Sequence, residues 1–428
     1  MTLRVIETFS GIGAQAKALK NISSINPDFK YEILATVEWE IGAIYAYDII
    51  HNGKQNLDKY SDLTKPDLIK LLSTFNLSSD GKQSLSKDSL KRMPLRQLKA
   101  IYHAIENNNN YVDISSVHAW DLPEADLLTY SFPCQDLSIS SYWHKNFTGI
   151  NRDANNRSSL LWQIERILKE YNKTDLKKPR FLLMENVTAI KSPRNIDNFE
   201  MWKKELRQMG YRSYTDLDLN AKNFGVPQNR VRTYMLSILI DDNNDEKWND
   251  ICNMLDDSAL HQVIDEPDIT PYLRLNYKAR KDYYLEAIES TPNWTLSRQS
   301  IYADSSKLAF GNQTTGQIAK TITTKQDRNP NAGLIVHQLK LEGNKAPYRN
   351  LTPRETFLLM GFDEVDFDNL IENNFFISKN RKFLSHSKLL KLSGNSIVVD
   401  VLQQIFIEVS RINNLFFSNI ISIKKKIS

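Results

Sequence analysis

Cys134 closes an apolar run, Asp126-Leu-Leu-Thr-Tyr-Ser-Phe-Pro-Cys134, and is followed by Gln135 and Asp136. A cysteine acts as a nucleophile only as thiolate, and a free thiol with a pKa of about 8.5 is mostly protonated at neutral pH. Either a helix N-terminus or the bound substrate must lower that pKa or take the proton. A lone cysteine on a strand is ordinarily a buried structural residue. Here Pro133 stiffens the turn, Gln135 and Asp136 are polar where a core strand stays apolar, and Ser138 can cap the next element of the chain. The pattern reads as an exposed thiol at the tip of a strand.

Other polar groups fall at similar places. Leu3 to Phe9 is a short apolar strand that runs into Ser10-Gly11-Ile12-Gly13-Ala14, after which Ala16, Leu19 and Ile22 recur at helical spacing. Such a strand, glycine turn and helix let a backbone approach a ligand at a helix N-terminus. Nucleotide, flavin and S-adenosylmethionine sites all use this turn, and some such turns bind nothing. The next strand, Tyr31 to Val37, ends in Glu38-Trp39. A carboxylate there is placed to hold ribose hydroxyls, and Trp39 offers either a face for adenine or ordinary core packing. Asp113 follows an asparagine run and could accept a hydrogen bond from an adenine amino group. Phe181-Leu-Leu-Met184 is a continuous apolar strand ending in Glu185-Asn186.

Continuous apolar strands alternating with amphipathic helices predict an α/β fold, a mostly parallel sheet with helices on both faces. Ligands bind beyond the carboxyl ends of such strands. Gly11, Glu38, Cys134 and Glu185 all fall at strand ends, so four distant motifs should converge on one crevice.

With 428 residues and 41% hydrophobic content, the chain can bury a large core and should form two domains, or one with a sizeable insertion. Two cysteines, Cys134 and Cys252, predict a reducing compartment without disulfides, and no Cys/His cluster has metal spacing, so no metal is expected. No apolar run approaches the ~20 residues of a membrane span, which points to a cytoplasmic protein with no membrane partner. A net charge of +4 leaves nucleic-acid binding to local patches. Residues 54–110 carry Leu68, Leu71, Leu72, Leu98, Ile101 and Ile105 at helical spacing and read as a helical insertion without chemistry of its own.

Six motifs together resemble the DNA (cytosine-5) methyltransferases: Phe9-Ser-Gly11-Ile-Gly13, Phe132-Pro133-Cys134-Gln135, Glu185-Asn186-Val187, Gln228-Asn-Arg230-Val-Arg232, Arg349-Asn-Leu-Thr-Pro353-Arg354-Glu355 and Gly394-Asn395-Ser396. They stand in the family order and span nearly the whole chain. Tyr130 to Ser138 and Arg157-Ser-Ser-Leu-Leu-Trp162 look closest to bacterial enzymes that methylate CpG. The resemblance implies a Rossmann-like methyltransferase fold, S-adenosyl-L-methionine as cofactor and double-stranded DNA as substrate. It implies that Cys134 adds to C6 of cytosine, that Glu185 serves N3, and that Arg232 binds O2 and orients Glu185. By the same pattern Arg230 holds the substrate and its phosphate, and Asn186 fixes the loop carrying Cys134. The implied cofactor residues are Phe9, Gly11, Gly13, Glu38, Trp39, Asp113, Ile114, Pro133, Leu160, Asn395 and Ser396. A monomer is expected, with a cognate restriction endonuclease acting on the same site.

The implied division is a catalytic unit, 1–240, completed by 388–428, and a small target-recognition domain with its hinge, 241–387. Asp241 to Glu246 reads as an acidic linker. Beyond it, Lys278, Arg280, Lys281, Arg298, Lys320, Lys325 and Arg328 are interleaved with Tyr272, Tyr277, Tyr283, Tyr284 and Trp294, a mixture suited to phosphates and base edges. Thr321-Ile-Thr-Thr324 looks like the core segment of that domain. Trp143 or Phe147 in the loop after Cys134 is expected either to wedge into the space left by a flipped base or to pack the loop. Ser396 is expected to cap a helix whose stripe is Val398, Val401, Leu402, Ile405, Val409 and Ile412, packed beside the first strand, and Lys424 to Lys426 to form a solvated tail. Three other readings compete. A tRNA-acting relative would carry a short recognition region and a Cys-Phe-Thr signature. A DNA-binding protein with a decayed site would not retain Cys134, Glu185, Arg230 and Arg232. A nicotinamide dehydrogenase has no need of the Pro-Cys turn.

Overall fold

The computed structural model describes residues 2–133, 137, 150, 157–240 and 244–417. Cys134, the loop with Trp143 and Phe147, and Lys424 to Lys426 lie outside them. Strands β1 (Thr2–Thr8), β2 (Lys30–Val37), β3 (Leu127–Tyr130), β4 (Phe181–Asn186), β5 (Tyr211–Asn220), β6 (Gln228–Asn229) and β7 (Val231–Leu239) come from the first half of the chain. All but β6 form one six-stranded sheet in the order β2-β1-β3-β4-β7-β5. The first four are mutually parallel, whereas β7 runs antiparallel to both β4 and β5. Residues Leu127 to Tyr130 are buried throughout, as a strand covered on both faces must be.

Helices α1 (Ala14–Ile25) and α2 (Ile41–Asn52) follow the first two strands. The insertion is helical: α3 (Lys65–Leu72), α4 (Lys87–Arg92) and α5 (Leu95–Asn107) bury Leu68, Leu72, Leu98, Ile101 and Ile105. Its asparagine run is structural. Asn107 and Asn108 donate to the buried Asp48 carboxylate, joined there by Asn52, Gln55 and His103. These donors stabilise a charge that burial would otherwise disfavour.

Helices α6 (Leu161–Asn172) and α7 (Ile196–Gln208) complete the first half. The expected acidic linker is in part helical, because Asn244 caps α8 (Asp245–Asp256) and Asp245 pairs with Arg212 at 2.6 Å. Two short helices, α9 (Lys281–Glu289) and α10 (Leu296–Asp304), precede β8 (Lys307–Phe310), β9 (Gln313–Thr314), β10 (Ala319–Lys320), β11 (Leu334–Val336) and β12 (Tyr348–Asn350). Four of these strands form a sheet in the order β12-β11-β8-β9, while β10 pairs in parallel with β6, just before Arg230.

The chain then returns through α11 (Pro353–Leu358), α12 (Glu364–Asn373), α13 (His386–Asn395) and α14 (Val399–Ile412). The apolar stripe of α14 is buried, with α1 as its principal neighbour rather than β1. Ser396 does not cap it. Ser396 ends α13, Val398 occupies the N-cap of α14 without a side-chain bond, and the Ser396 hydroxyl donates to Ile397 O at 3.2 Å. The expected cap fails because two helices meet at this point and share a short joint, so the serine closes the first helix instead of opening the second. Among the described residues, no helix is long and apolar enough to cross a membrane, and no group of His, Cys, Asp and Glu could hold a metal ion.

Candidate active site

Because β7 is antiparallel, its first residues lie at the sheet edge where β1, β3 and β4 end. The register pairs Glu185 with Tyr234 and Asn186 with Thr233. Arg232 is therefore a same-face diagonal neighbour of Glu185, within reach of a long side chain. Arg232 Nε stands 3.4 Å from Glu185 Oε1, with both side chains mostly buried. Burial pushes the Glu185 carboxyl above its ordinary value, and Arg232 and Arg230 pull it part of the way back. A carboxyl shifted in this direction is suited to deliver a proton.

Asn186 is buried and holds the start of the Pro-Cys turn. Its Nδ2 donates to Phe132 O at 3.1 Å while its Oδ1 accepts from Val187 N at 2.9 Å. The Ser158 hydroxyl donates to Pro133 O at 2.7 Å. Both residues preceding Cys134 are thus tied down.

A cavity of about 290 Å³ opens beyond the strand ends. Phe9 and Gly11 from the β1–α1 turn, Glu38 and Trp39 from the end of β2, and Asp113 and Ile114 line it. Pro133, Leu160, Asn395 and Ser396 complete the wall, and Glu185, Arg230 and Arg232 share it. Gly13 is not in the wall. It is the N-cap of α1 at φ 80°, and a Cβ there would fall 2.1 Å from His51 Nε2, so only glycine permits the close approach. Burial lowers His51 to about 4, and its neutral ring meets Ile12 O at 3.1 Å, bracing the turn.

Glu38 Oε2 accepts from Gly11 N at 3.0 Å and Oε1 from Glu40 N at 2.8 Å. Burial raises its carboxyl to about 7. Asn110 sets the Glu38 backbone: its Oδ1 accepts from Glu38 N and Val112 N, each at 3.0 Å, and its Nδ2 donates to Glu38 O at 3.0 Å. Phe9 and Val112, both in the cavity wall, adopt φ of 55° and 64°. A β-branched residue at positive φ costs on the order of 1–3 kcal/mol, strain typical of ligand sites.

Arg230 lines the cavity and also braces its wall. Its side chain is buried, and its guanidinium donates to Ile322 O at 2.9 Å, Ser396 O at 2.8 Å and Gly394 O at 3.3 Å. It ties the start of β7 to the Thr321–Thr324 segment and to the α13 terminus. Gly394 fits the same junction, since a Cβ there would fall 2.6 Å from the Thr323 carbonyl carbon.

The basic and aromatic mixture of the second half is also partly structural. Arg280 pairs with Asp368 at 2.8 Å, Tyr277 accepts from Arg349 at 2.9 Å, and Trp294 packs edge-on to Tyr302 and Tyr348. Lys278, Lys281, Tyr284, Lys320, Lys325 and Arg328 remain exposed. Arg349 and Glu355 form a fully buried pair at 2.7 Å, and Arg354 binds Glu286 and Asp368. The Arg349-to-Glu355 motif is therefore a structural hub.

Comparison with known proteins accords with this geometry. Residues 94–411 match the family described as C-5 cytosine-specific DNA methylase. Orphan methyltransferase M.SssI of Spiroplasma monobiae is 33% identical over 94% of this chain and 96% of its own length. Type II methyltransferase M2.ScrFI of Lactococcus lactis subsp. cremoris is 32% identical over 95% of this chain and 98% of its own. Among solved structures, the S. pombe Dnmt2 methyltransferase superposes with a TM-score of 0.55 at 18% identity, covering 96% of this chain and 99% of that one, a likeness of fold. A family match over most of the chain, joined to full-length relatives, makes this chain a member of the C-5 cytosine-specific DNA methylases, a DNA cytosine-5 methyltransferase.

Proposed function

We propose that the enzyme methylates cytosine within a specific sequence of double-stranded DNA, with Cys134 as nucleophile and S-adenosyl-L-methionine as donor. The observation that carries this reading is the placement of Glu185, beside Arg232, in the wall of the cavity that also presents Glu38 and Asp113. The wall suits the donor: Glu38 for ribose hydroxyls, Trp39 and Phe9 as faces for adenine, Asp113 as acceptor for its amino group, Asn395 and Ser396 at the far side. S-adenosylmethionine, when bound, supplies an electrophilic methyl group.

Cytosine C5 is a poor nucleophile. Addition of the Cys134 thiolate to C6 makes C5 part of an enamine, while Glu185 gives a proton to N3 and Arg232 hydrogen-bonds O2. After methylation, a base takes the C5 proton, the Cys134 thiolate departs and the N3 proton returns to Glu185, which restores the aromatic ring of neutral 5-methylcytosine. Asn186 and Ser158 hold Phe132 and Pro133, the residues that precede Cys134, and Arg230 positions the strand that carries Arg232. The base must first leave the duplex stack, which costs a few kcal/mol. Residues 1–240 with 388–428 form the catalytic unit, and 241–387 the recognition unit. The enzyme acts as a cytoplasmic monomer, beside a cognate endonuclease in a restriction-modification system, a context that the type II name of M2.ScrFI favours.

The test is methyl transfer from labelled S-adenosylmethionine to duplex DNA or tRNA, with the product base identified. Transfer to DNA yielding 5-methylcytosine in one sequence context supports the reading, and transfer to tRNA alone refutes it.

A further inference from the structure

The helical insertion contributes Asn76, Asp80 and Gly81 to the cavity wall. None of these belongs to the six family motifs. Asn76 Nδ2 donates to Asp113 Oδ2 at 2.6 Å, while Ser115 N donates to Asp113 Oδ1 at 2.9 Å. Each carboxylate oxygen has one donor and retains capacity for a second, and the two donors together fix the plane of the carboxylate.

The loop that carries Asn76 is built into the site. Ser78 N donates to Trp39 O at 2.8 Å and Ile41 N to Ser78 O at 2.9 Å, stitching the loop to the same segment that presents Glu38. From the opposite side, Lys388 of α13 donates to Ser79 O at 2.6 Å, and Lys391 donates to Asp80 O. Asn76 therefore approaches Asp113 from a loop anchored on both flanks.

We propose that Asn76 is a positioning residue for cofactor recognition: it holds the Asp113 carboxylate as the acceptor for the adenine 6-amino group. The insertion then selects adenine over a 6-oxo purine, whose ring presents a carbonyl to that carboxylate. The proposal rests on the reading of the cavity as the S-adenosylmethionine site.

Calorimetric binding of S-adenosylhomocysteine and of its 6-oxo counterpart, S-inosylhomocysteine, to the full chain tests this. The unaltered enzyme should prefer the adenine ligand. Asn76→Ala should weaken it about tenfold, the loss expected for a hydrogen bond to a charged group, while shifting the 6-oxo ligand by less than about twofold. In the same variant, KM for S-adenosylmethionine should rise by more than kcat falls. Equal weakening of both ligands, or of neither, with the parental preference intact, would overturn the role of Asn76 alone. Absence of any preference in the unaltered enzyme, and in Asp113→Asn, would overturn the adenine reading of Asp113 and the proposal with it.

Discussion

Arg230 Nη2 donates to Ser396 O at 2.8 Å across 166 residues of chain. The same guanidinium reaches Ile322 O and Gly394 O, so one buried cation joins the start of β7, the threonine segment and the end of α13. Arg230→Met would leave three carbonyls without this donor. Its expected cost is about 3 kcal/mol in urea unfolding. A loss below about 0.5 kcal/mol, the scale of an ordinary surface change, would show that the brace is dispensable.

Glu185 owes its raised carboxyl to burial, and that direction sets a pH dependence. The protonated form is lost as pH rises through the raised value, so the alkaline limb of kcat/KM should belong to Glu185. Glu185→Gln should slow transfer about 10²- to 10⁴-fold, the usual contribution of a general acid, and should abolish that limb. Retention of the limb in the variant would assign it to another group.

Glu38 titrates at about 7 in the cavity. Ribose hydroxyls donate more strongly to the carboxylate than to the acid, so affinity for S-adenosylhomocysteine should rise with pH until Glu38 is ionised. Below pH 7 the affinity should fall by up to about tenfold per unit. Glu38→Gln should flatten the profile, as measured by calorimetry between pH 5.5 and 8.5; those limits bracket the value by roughly 1.5 units on each side.

The proposed division puts base reading and chemistry in different parts of the chain. Replacing residues 245–345 with those of a relative of different specificity should move methylation to the relative's sequence, read by bisulfite sequencing of treated DNA. An active chimera that keeps the parental sequence would place specificity elsewhere. Arg280, Tyr277 and Trp294 are engaged in contacts within the chain, so the exposed cations Lys278, Lys281, Lys320, Lys325 and Arg328 are the ones whose loss should weaken binding in a salt-dependent way.

The convergence of Gly11, Glu38 and Glu185 on one cavity was legible because its signal is local: an apolar run followed by glycine or glutamate marks the carboxyl edge of a parallel strand. The antiparallel course of β7, which brings Arg232 to that edge, is a pairing across the sheet and leaves little trace in Val231 to Leu239 itself. Asn110 was hidden for a related reason. In sequence it closes a run of four asparagines that reads as a loop, and its value lies in three hydrogen bonds to Glu38 and Val112. Arg230 matched a motif, yet its burial and its three carbonyl contacts could not be read from the motif. Asn76 sits in a stretch whose periodicity speaks only of helix packing.

Attack on cytosine C6 by Cys134, four residues beyond β3 in the sequence, is the step on which the proposed reaction rests. Duplex DNA with 5-fluorocytosine at the target cytosine, incubated with the enzyme and S-adenosylmethionine, tests it directly, because fluorine cannot leave as the C5 proton does. A protein–DNA complex that survives denaturing electrophoresis, and that vanishes together with methyl transfer in Cys134→Ala, is the predicted result. Methyl transfer retained by Cys134→Ala, or a stable complex formed without Cys134, would contradict the account.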